Sequence, residues 1–304
     1  MARHNVVFLT ARVLDTPNIR TDANGNYLYG MCYVDVVRGF RKIDDDKKYT
    51  RHDRPLIMSA EPEILEKMQT WRANDIVFIK GTVACKSIPK SSVCPNEECI
   101  TDPNHPEIRT KNKIEDGSLV YVNPIFVEKR THFEDSKDCE AYLVENREIS
   151  NQVYVIGTLC REPKKFKTKK GLVVTQYQIA LNRKFRIRSD TPEIKTDYPW
   201  VKSYGDTAIE DKMRLDVGSV VAIDGVLQAR RVTRKCTCAN CGMEYNWEDK
   251  AMEIVPYEVE YMRDYKTDED LQTIFNEDVD EIKKKLKGYT DSDEDAENVL
   301  SMES

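Results

Sequence analysis

Cysteines are gathered in two short segments of the chain, at spacings that suit metal binding. The candidate ligands are Cys94, Cys99, Cys236, Cys238 and Cys241. Closely spaced thiolates can converge on one zinc ion, but neither segment supplies four cysteines. One site could be local to the first segment, with Cys85 and His105, and the other completed by an acid or a second chain. Alternatively, pairs from the two segments could share an ion, or the thiols could simply be reduced loop residues.

Aromatic and basic side chains alternate along one predicted strand. Tyr198, Trp200, Lys202 and Tyr204 are two positions apart, so they point to the same side of that strand. Because a core face would exclude Lys202, we expect this side to be exposed. Exposed aromatic rings on a strand suit the stacking of nucleic-acid bases. The alternative is ordinary packing, with a lysine whose ammonium group reaches solvent.

Basic residues are concentrated near the same strand. Residues 161–188 contain ten basic side chains and one acid, for a net charge of +9. This bias favours a track for phosphate groups over a merely solvated face. The predicted phosphate-binding residues are Lys164, Lys165, Lys167, Lys169, Lys170, Arg183, Lys184, Arg186, Arg188, Lys202, Arg230, Arg231, Arg234 and Lys235.

Length and composition limit the class of protein. The chain has 304 residues, of which 33% are charged and 40% hydrophobic, as in a soluble globular protein of about two domains. The net charge of −6 comes from the end of the chain, since residues 263–304 carry −8 and the remainder +2. No apolar run is long enough for a bilayer, and no export signal is evident. With nine cysteines, this predicts a cytoplasmic protein with reduced thiols.

An internal repeat defines the domain organisation. Residues 5–17 align with 151–163 at an offset of 146, and Gly25 falls on Gly171. Residues 55–59 and 79–81 align with 199–203 and 223–225 at an offset of 144, and residues 122–128 with 254–260 at 132. The same unit therefore occurs twice.

Each unit is predicted to contain five strands with one helix between the third and fourth, which is the order of an OB-fold barrel. The fold class is thus all-β, with tandem OB-fold five-stranded barrels and a cysteine-bearing insertion between strands 4 and 5 of each. An amphipathic helix and an acidic tail complete the chain. The predicted domains are a divergent OB domain at 1–131, a linker at 132–150, a second OB domain at 151–263, the helix at 264–289 and a disordered tail at 290–304.

The second unit resembles the bacterial single-stranded-DNA-binding (SSB) family over nearly its whole OB domain. The similar segments are residues 151–157, 177–183, 200–205 and 217–230. The resemblance implies sequence-independent binding of single-stranded DNA in replication, recombination or repair. It also implies an assembly of four OB domains, which two chains would supply as a homodimer.

The resemblance also places DNA-stacking aromatics at Phe185, Tyr198 and Tyr204. The first unit departs from this pattern: it has Arg54, Leu56 and Ala60 where the second has Tyr198, Trp200 and Tyr204. Only Phe40 lies near the place of Phe185. The first unit is therefore predicted to bind through charge, to serve in assembly, or to use Phe40 and Arg54 in another way.

The C-terminal region carries two further signals. Thr267 and Asp270 resemble a capping box before an apolar stripe at helical spacing, which predicts an amphipathic helix. The acidic residues of 291–297 and the apolar end are similar in kind to the tails with which SSB proteins recruit replication and repair proteins. The alternative is a tail that improves solubility and competes with DNA for the basic groove.

Rival functions receive less support. His105 and Glu107 have the His-x-Glu form of zinc deaminases, but the required Pro-Cys-x-x-Cys partner is absent. No phosphate-binding glycine loop is present either, so we expect a binding protein and not an enzyme. An RNA-binding OB protein or a non-catalytic replication scaffold remains the alternative.

Overall fold

The computed structural model describes residues 4–39, 50–88, 90–100, 111–114, 118–183, 187–188 and 195–276. Within these ranges the chain is built mainly of strands, as predicted for an all-β protein. No helix in the described ranges has the length and apolar character needed to cross a membrane.

The first unit is a closed barrel with an added hairpin. Its strands are β1 (Asn5–Val13), β2 (Asn18–Thr21), β3 (Tyr27–Val37), β4 (His52–Asp53), β5 (Leu56–Ser59), β6 (Asp75–Ser87), β7 (Lys90–Val93), β8 (Lys111–Ile114) and β9 (Ser118–His132). Helix α1 (Pro62–Met68) lies between β5 and β6. The barrel runs β1–β3–β5–β9–β6 and returns to β1, with β5 and β9 parallel. This is the order predicted for an OB fold.

The second unit repeats this arrangement. Its strands are β10 (Asn151–Lys167), β11 (Val173–Asn182), β12 (Thr196–Asp197), β13 (Trp200–Tyr204), β14 (Val220–Thr237) and β15 (Glu244–Arg263). Helix α3 (Gly205–Arg214) follows β13. The hairpin turns at Gly25 and Gly171 share a φ of 83°, a left-handed conformation that glycine adopts at little cost. The repeat in sequence is therefore also a repeat in backbone structure.

The segment predicted as a linker, 132–150, contains a helix. Helix α2 (Ser136–Glu145) buries Cys139 and Leu143 against Val37 and Ile76 of the first unit. The Asp135 side chain caps its first turn by accepting a hydrogen bond from the Lys137 amide. The connection is therefore packed on the first barrel.

The two barrels join through their first strands. Strand β1 pairs antiparallel with β10, from Asn5 opposite Val155 to Leu9 opposite Asn151. A row of six strands, β9–β6–β1–β10–β14–β15, consequently crosses both units. Within β1 the residues Val7, Leu9, Ala11 and Val13 point into the barrel and are fully buried, as alternation along a strand requires.

Candidate nucleic-acid interface and four-cysteine cluster

The outer surface of β10, β11 and β13 carries three rows of side chains across the second barrel. Strand pairing fixes the rows, because each β11 residue lies opposite one residue on either neighbour. The rows are Arg161–Gln178–Trp200, Lys164–Gln176–Lys202 and Phe166–Val174–Tyr204. We call this surface the second-unit face.

Aromatic rings and cations adjoin one another on the second-unit face. The Arg161 guanidinium lies 5.7 Å from the Trp200 ring centroid, and the Lys202 ammonium lies 5.7 Å from that of Phe166. Phe166 is 43% exposed and Tyr198, at the start of β13, is 50% exposed. Trp200 and Tyr204 are half-buried. A base can therefore reach ring surfaces that already lie beside positive charge.

Phe166 was missed by the sequence analysis. It lies at the end of β10 between Lys165 and Lys167, within the segment of net charge +9. An aromatic residue between lysines was the available signal, because basic residues interleaved with aromatics are typical of single-strand binding.

Lys202 is not the exposed cation that the sequence analysis expected. Its ammonium is buried and lies 3.3 Å from the Glu253 carboxylate, which also accepts two 2.8 Å hydrogen bonds from Arg230. Burial lowers the pKa of Lys202, with Glu253 opposing the shift. Although burial alone would raise it, Arg230 and Lys202 hold the pKa of Glu253 below its ordinary value. Lys202 and Arg230 thus each form an ion pair with Glu253 beneath the face.

Arg183 is also engaged within the protein. Its guanidinium donates hydrogen bonds of 2.6 and 2.7 Å to the two carboxylate oxygens of Asp197, and its side chain is 8% exposed. Arg231 and Arg234 pair with Glu248 and Asp249 at 3.5 and 3.0 Å. These three predicted phosphate ligands are therefore already paired with acids, and Arg231 and Arg234 are also exposed.

The remaining predicted phosphate ligands divide by position. Seven are exposed and form no ion pair with a described residue: Lys164, Lys165, Lys167, Lys169, Lys170, Arg188 and Lys235. The first five follow the edge of the second-unit face along β10 and the turn after it. Lys184, Phe185, Arg186 and Phe40 lie outside the described residues.

Four cysteines, two from each unit, meet where the two insertions touch. The sulfur atoms of Cys94, Cys99, Cys238 and Cys241 all lie within 4.8 Å of one another. Cys94 and Cys241 are 3.7 Å apart, and Cys99 and Cys238 are 3.6 Å apart. This is the shared arrangement that the sequence left as one of several options. Cys236 lies outside the cluster, which corrects its inclusion among the ligands. It lies on β14, two residues before Cys238.

The geometry of the cluster fits a tetrahedral thiolate site. Zinc–sulfur bonds of about 2.3 Å at tetrahedral angles place sulfur atoms about 3.8 Å apart. Three of the four cysteines are buried and Cys241 is exposed, so an ion would be shielded yet within reach of solvent. The backbone amides of Cys241 and Asn240 point at the Cys238 sulfur and lower its pKa to about 6.

Side chains around the cluster tie the two insertions together. The Tyr245 hydroxyl accepts a 2.9 Å hydrogen bond from the Asn112 side chain and lies 2.6 Å from the Ser92 hydroxyl. The Lys90 ammonium pairs with Asp249 at 2.8 Å. Each of these contacts links the first insertion to the second.

The predicted C-terminal helix is helical over 268–276 in the described part of the chain. Thr267 and Asp270 form the expected capping box, with hydrogen bonds of 2.8 Å from the Thr267 amide and 3.3 Å from the Asp270 amide. Ile274 and Phe275 are exposed. The rest of the helix and the acidic tail lie outside the described residues.

Comparisons with known proteins support the resemblance found in the sequence. The two barrels define a tandem OB-fold protein. Its second unit, residues 150–244, matches the model of the Single-strand binding protein family. The resemblance of the second unit to the SSB family is thereby confirmed. A comparison with curated protein sequences found no match.

Solved structures confirm the tandem fold. The chain is similar to the wild-type single-stranded DNA binding protein from Thermus aquaticus, with a TM-score of 0.52 and 14% identity over 86% of this chain and 95% of that chain. A deletion mutant of the same Thermus protein has a TM-score of 0.52 and 17% identity, over 87% of this chain and 97% of that chain. At such identities the likeness establishes the fold alone.

Proposed function

We propose that the protein binds single-stranded DNA without sequence preference, through the second-unit face. The observation that carries this proposal is the juxtaposition of exposed aromatic rings with cations on β10 and β13. The match of residues 150–244 to the SSB family supports it. Binding requires no covalent step, so the protein acts without catalysis.

The face supplies the two interactions that single strands need. Phe166, Tyr198 and Trp200 offer ring surfaces for base stacking, each worth about 1–3 kcal/mol. The exposed lysines along β10 attract the phosphates, which makes the affinity strongly dependent on salt. Neither interaction reads the hydrogen-bonding edge of a base, so any sequence is accepted. Such a protein protects single strands during DNA replication, repair or recombination.

Tryptophan fluorescence tests the proposal directly. Oligo-dT should quench the emission of Trp200, and high salt should reverse the quenching. Trp71 is buried, whereas Trp247 is half-buried on the second insertion, so Trp200→Phe is the control that must abolish most of the signal. An unchanged fluorescence in the parent protein would contradict the proposal.

Competition distinguishes DNA from RNA. Stacking surfaces accept either nucleic acid unless a group contacts the 2′-hydroxyl. We expect poly-dT to displace a labelled dT oligomer at lower concentration than poly-rU of the same length. The reverse order would favour the RNA-binding alternative, and displacement by neither would favour a scaffold.

We infer that the four-cysteine cluster binds one structural zinc ion. Four thiolates select a soft, tetrahedral ion, and the measured sulfur separations fit zinc. The ion would join the insertions of the two units, since each unit supplies two ligands. Reduced thiols of this kind suit the cytoplasm.

We also propose a homodimer that joins four OB barrels through the outer face of the six-stranded row. Phe8 and Phe78 stack there at 6.4 Å, and Phe126 is 44% exposed. Arg130 lies 4.8 Å over the Phe78 ring. The half of the face formed by the second unit instead exposes Tyr154 among acids, namely Asp224, Glu258 and Glu260.

This charge pattern favours a second copy related by a two-fold axis. The half of each chain that carries Lys80 and Arg130 would then cover the acidic half of the other. Light scattering should give the mass of two chains, and Phe126→Glu should give the mass of one. A single-chain mass for the parent protein would contradict the dimer.

The acidic tail supports a further proposal, the recruitment of replication or repair proteins. It rests on sequence alone, because residues 277–304 lie outside the described ranges. Deletion of 290–304 should abolish capture of such a partner while oligo-dT affinity is kept or increased. Unchanged capture after the deletion would leave the tail as a solubilising segment.

A further inference from the structure

The first unit has a surface that corresponds, position by position, to the second-unit face. Both the sequence repeat and the strand pairing establish the correspondence. Ile57 lies opposite Val122 across the parallel pair of the first barrel, and their equivalents Val201 and Ile254 lie opposite each other in the second. Leu56 therefore corresponds to Trp200, and Met58 corresponds to Lys202.

The part of this first-unit surface around Leu56 is apolar, while Tyr29 and Tyr33 on β3 beside it are exposed. Ala84 and Tyr121 lie opposite each other where the second unit has Gln228 and Glu253. Together with Leu56 they form a buried cluster, against which Met31, Met58 and Leu119 pack. No member of this cluster carries a charge. At these equivalent positions, the polar and ionic side chains of the second unit are thus replaced by aliphatic groups and one tyrosine.

A residue of the second unit covers this surface. Ile187, which follows β11, belongs to the same cluster as Leu56, Ala84 and Tyr121 and is 4% exposed. An isoleucine between strands would be solvated if the segment stood away from the protein. Its burial here shows that Ile187 is docked on the first unit.

Described residues on either side of Ile187 are also fixed in place. Arg183 and Asp197 form a two-bond ion pair within the second unit. The Asp197 carboxylate also accepts a 2.7 Å hydrogen bond from the Cys85 amide of the first unit. Asp197 is therefore joined to the first barrel by a polar contact, in addition to the apolar contact of Ile187.

We propose that the first-unit surface serves as the docking site of Ile187 from the second unit, which occupies it in place of a nucleic-acid base. Single-stranded DNA then stacks on the second unit at Trp200 and not on the first unit at Leu56 and Tyr121. This inference rests on the proposed function. A base could reach Leu56 or Tyr121 only by displacing Ile187, which is tethered to the surface and needs no association step.

Matched alanine variants at equivalent positions test which surface binds DNA. Trp200→Ala should weaken oligo-dT binding by about fivefold or more, as the loss of one stacked base predicts. Leu56→Ala should change it by less than about twofold. If Leu56→Ala lowers the thermal midpoint, Met58→Ala at the half-buried neighbour replaces it. An equal loss at both units would overturn the inference, whereas no loss at Trp200 would overturn the proposed function itself.

Limited trypsin digestion tests the docking without DNA. Ile187→Asp places a charge in the apolar cluster and should speed cleavage after the exposed Arg188 by about tenfold. Ile187→Leu, which keeps the contact, should be cleaved at the parent rate. Equal rates for all three proteins would overturn the docking, whatever the result of the DNA titrations.

Discussion

The two units of this protein share a barrel and differ in the chemistry of one face. In the second unit the face joins Trp200 and Phe166 to cations. In the first unit the equivalent surface contains Leu56 and Tyr121 and is covered by Ile187. A duplicated fold therefore need not duplicate a binding site, because the barrel depends on inward residues and the site on outward ones.

The contacts between the units, unlike their outer faces, are symmetric. Asp53 accepts a 3.0 Å hydrogen bond from the Ala229 amide, just as Asp197 accepts one from Cys85 at the equivalent position. Each aspartate is held by an arginine, Arg38 or Arg183. The difference between the units thus lies in the side chains of their outer faces and not in these contacts.

The largest expected effect is the loss of bound zinc when a cysteine of the cluster is substituted. This loss should be equal for cysteines of the two units. Cys94→Ser and Cys238→Ser, at equivalent positions, should each reduce bound zinc from about one ion per chain to near zero, because three thiolates leave a tetrahedral site incomplete. Metal analysis after dialysis measures this. Cys236→Ser, adjacent but outside the cluster, should retain the ion. Zinc retained by Cys94→Ser but not by Cys238→Ser would indicate a site local to the second insertion.

The second-largest expected effect is the loss of base stacking on Phe166, which should distinguish the second unit from the first. Phe166→Ala should lower oligo-dT affinity by about 5- to 150-fold, since one stacked base contributes about 1–3 kcal/mol. Arg20→Ala, at the equivalent exposed position of the first unit, should lower it by less than about threefold. Fluorescence titration of both variants at one salt concentration makes the comparison. A larger loss for Arg20→Ala would reverse the assignment of the units.

The lysines of β10 should contribute to the salt dependence of oligo-dT affinity. Removing Lys164, Lys165 and Lys167 together should reduce the slope of log affinity against log salt by about 2, at about 0.7 per phosphate contact. Titrations at several salt concentrations give the slope. Substituting Arg231 and Arg234, which are paired with acids, should change it much less.

The smallest expected effect is on the pH dependence of the free energy of unfolding. Asp211 on α3 is fully buried, and burial raises its pKa from 3.8 to about 6, although Tyr261 donates a 2.8 Å hydrogen bond to it. Because the folded pKa exceeds the unfolded one, the contribution of Asp211 to stability should be fully present below pH about 4 and fall by up to about 3 kcal/mol as pH rises through 6. Urea unfolding of Asp211→Asn should lack this fall. Lys67→Gln, at the equivalent position of the first unit, should keep it.

Much of the fold could be predicted from the sequence because repeated strand patterns and turn glycines are local signals. The offsets at Gly25 and Gly171 and the capping box at Thr267 are examples. The helix within 132–150 was missed because its buried residues, Cys139 and Leu143, are too few for a clear apolar stripe.

The site was harder to predict, because ion pairs form between residues distant in sequence. From the sequence alone Lys202 is predicted to be an exposed cation. Its partner Glu253 lies 51 residues further along the chain and comes beside it only because β13 pairs with β15. The cysteines were found by spacing, but their sharing between units depends on the pairing of β1 with β10. The docking of Ile187 had no sequence signal, since one isoleucine in a basic segment predicts no partner.

Hydrogen exchange with and without saturating oligo-dT tests the central claim most directly. We expect slower exchange in β10, β11 and β13 of the second unit on addition of DNA, and unchanged exchange in β3 and β5 of the first. Equal protection of β5 and β13 would contradict the account, because it would place DNA on the surface that Ile187 covers.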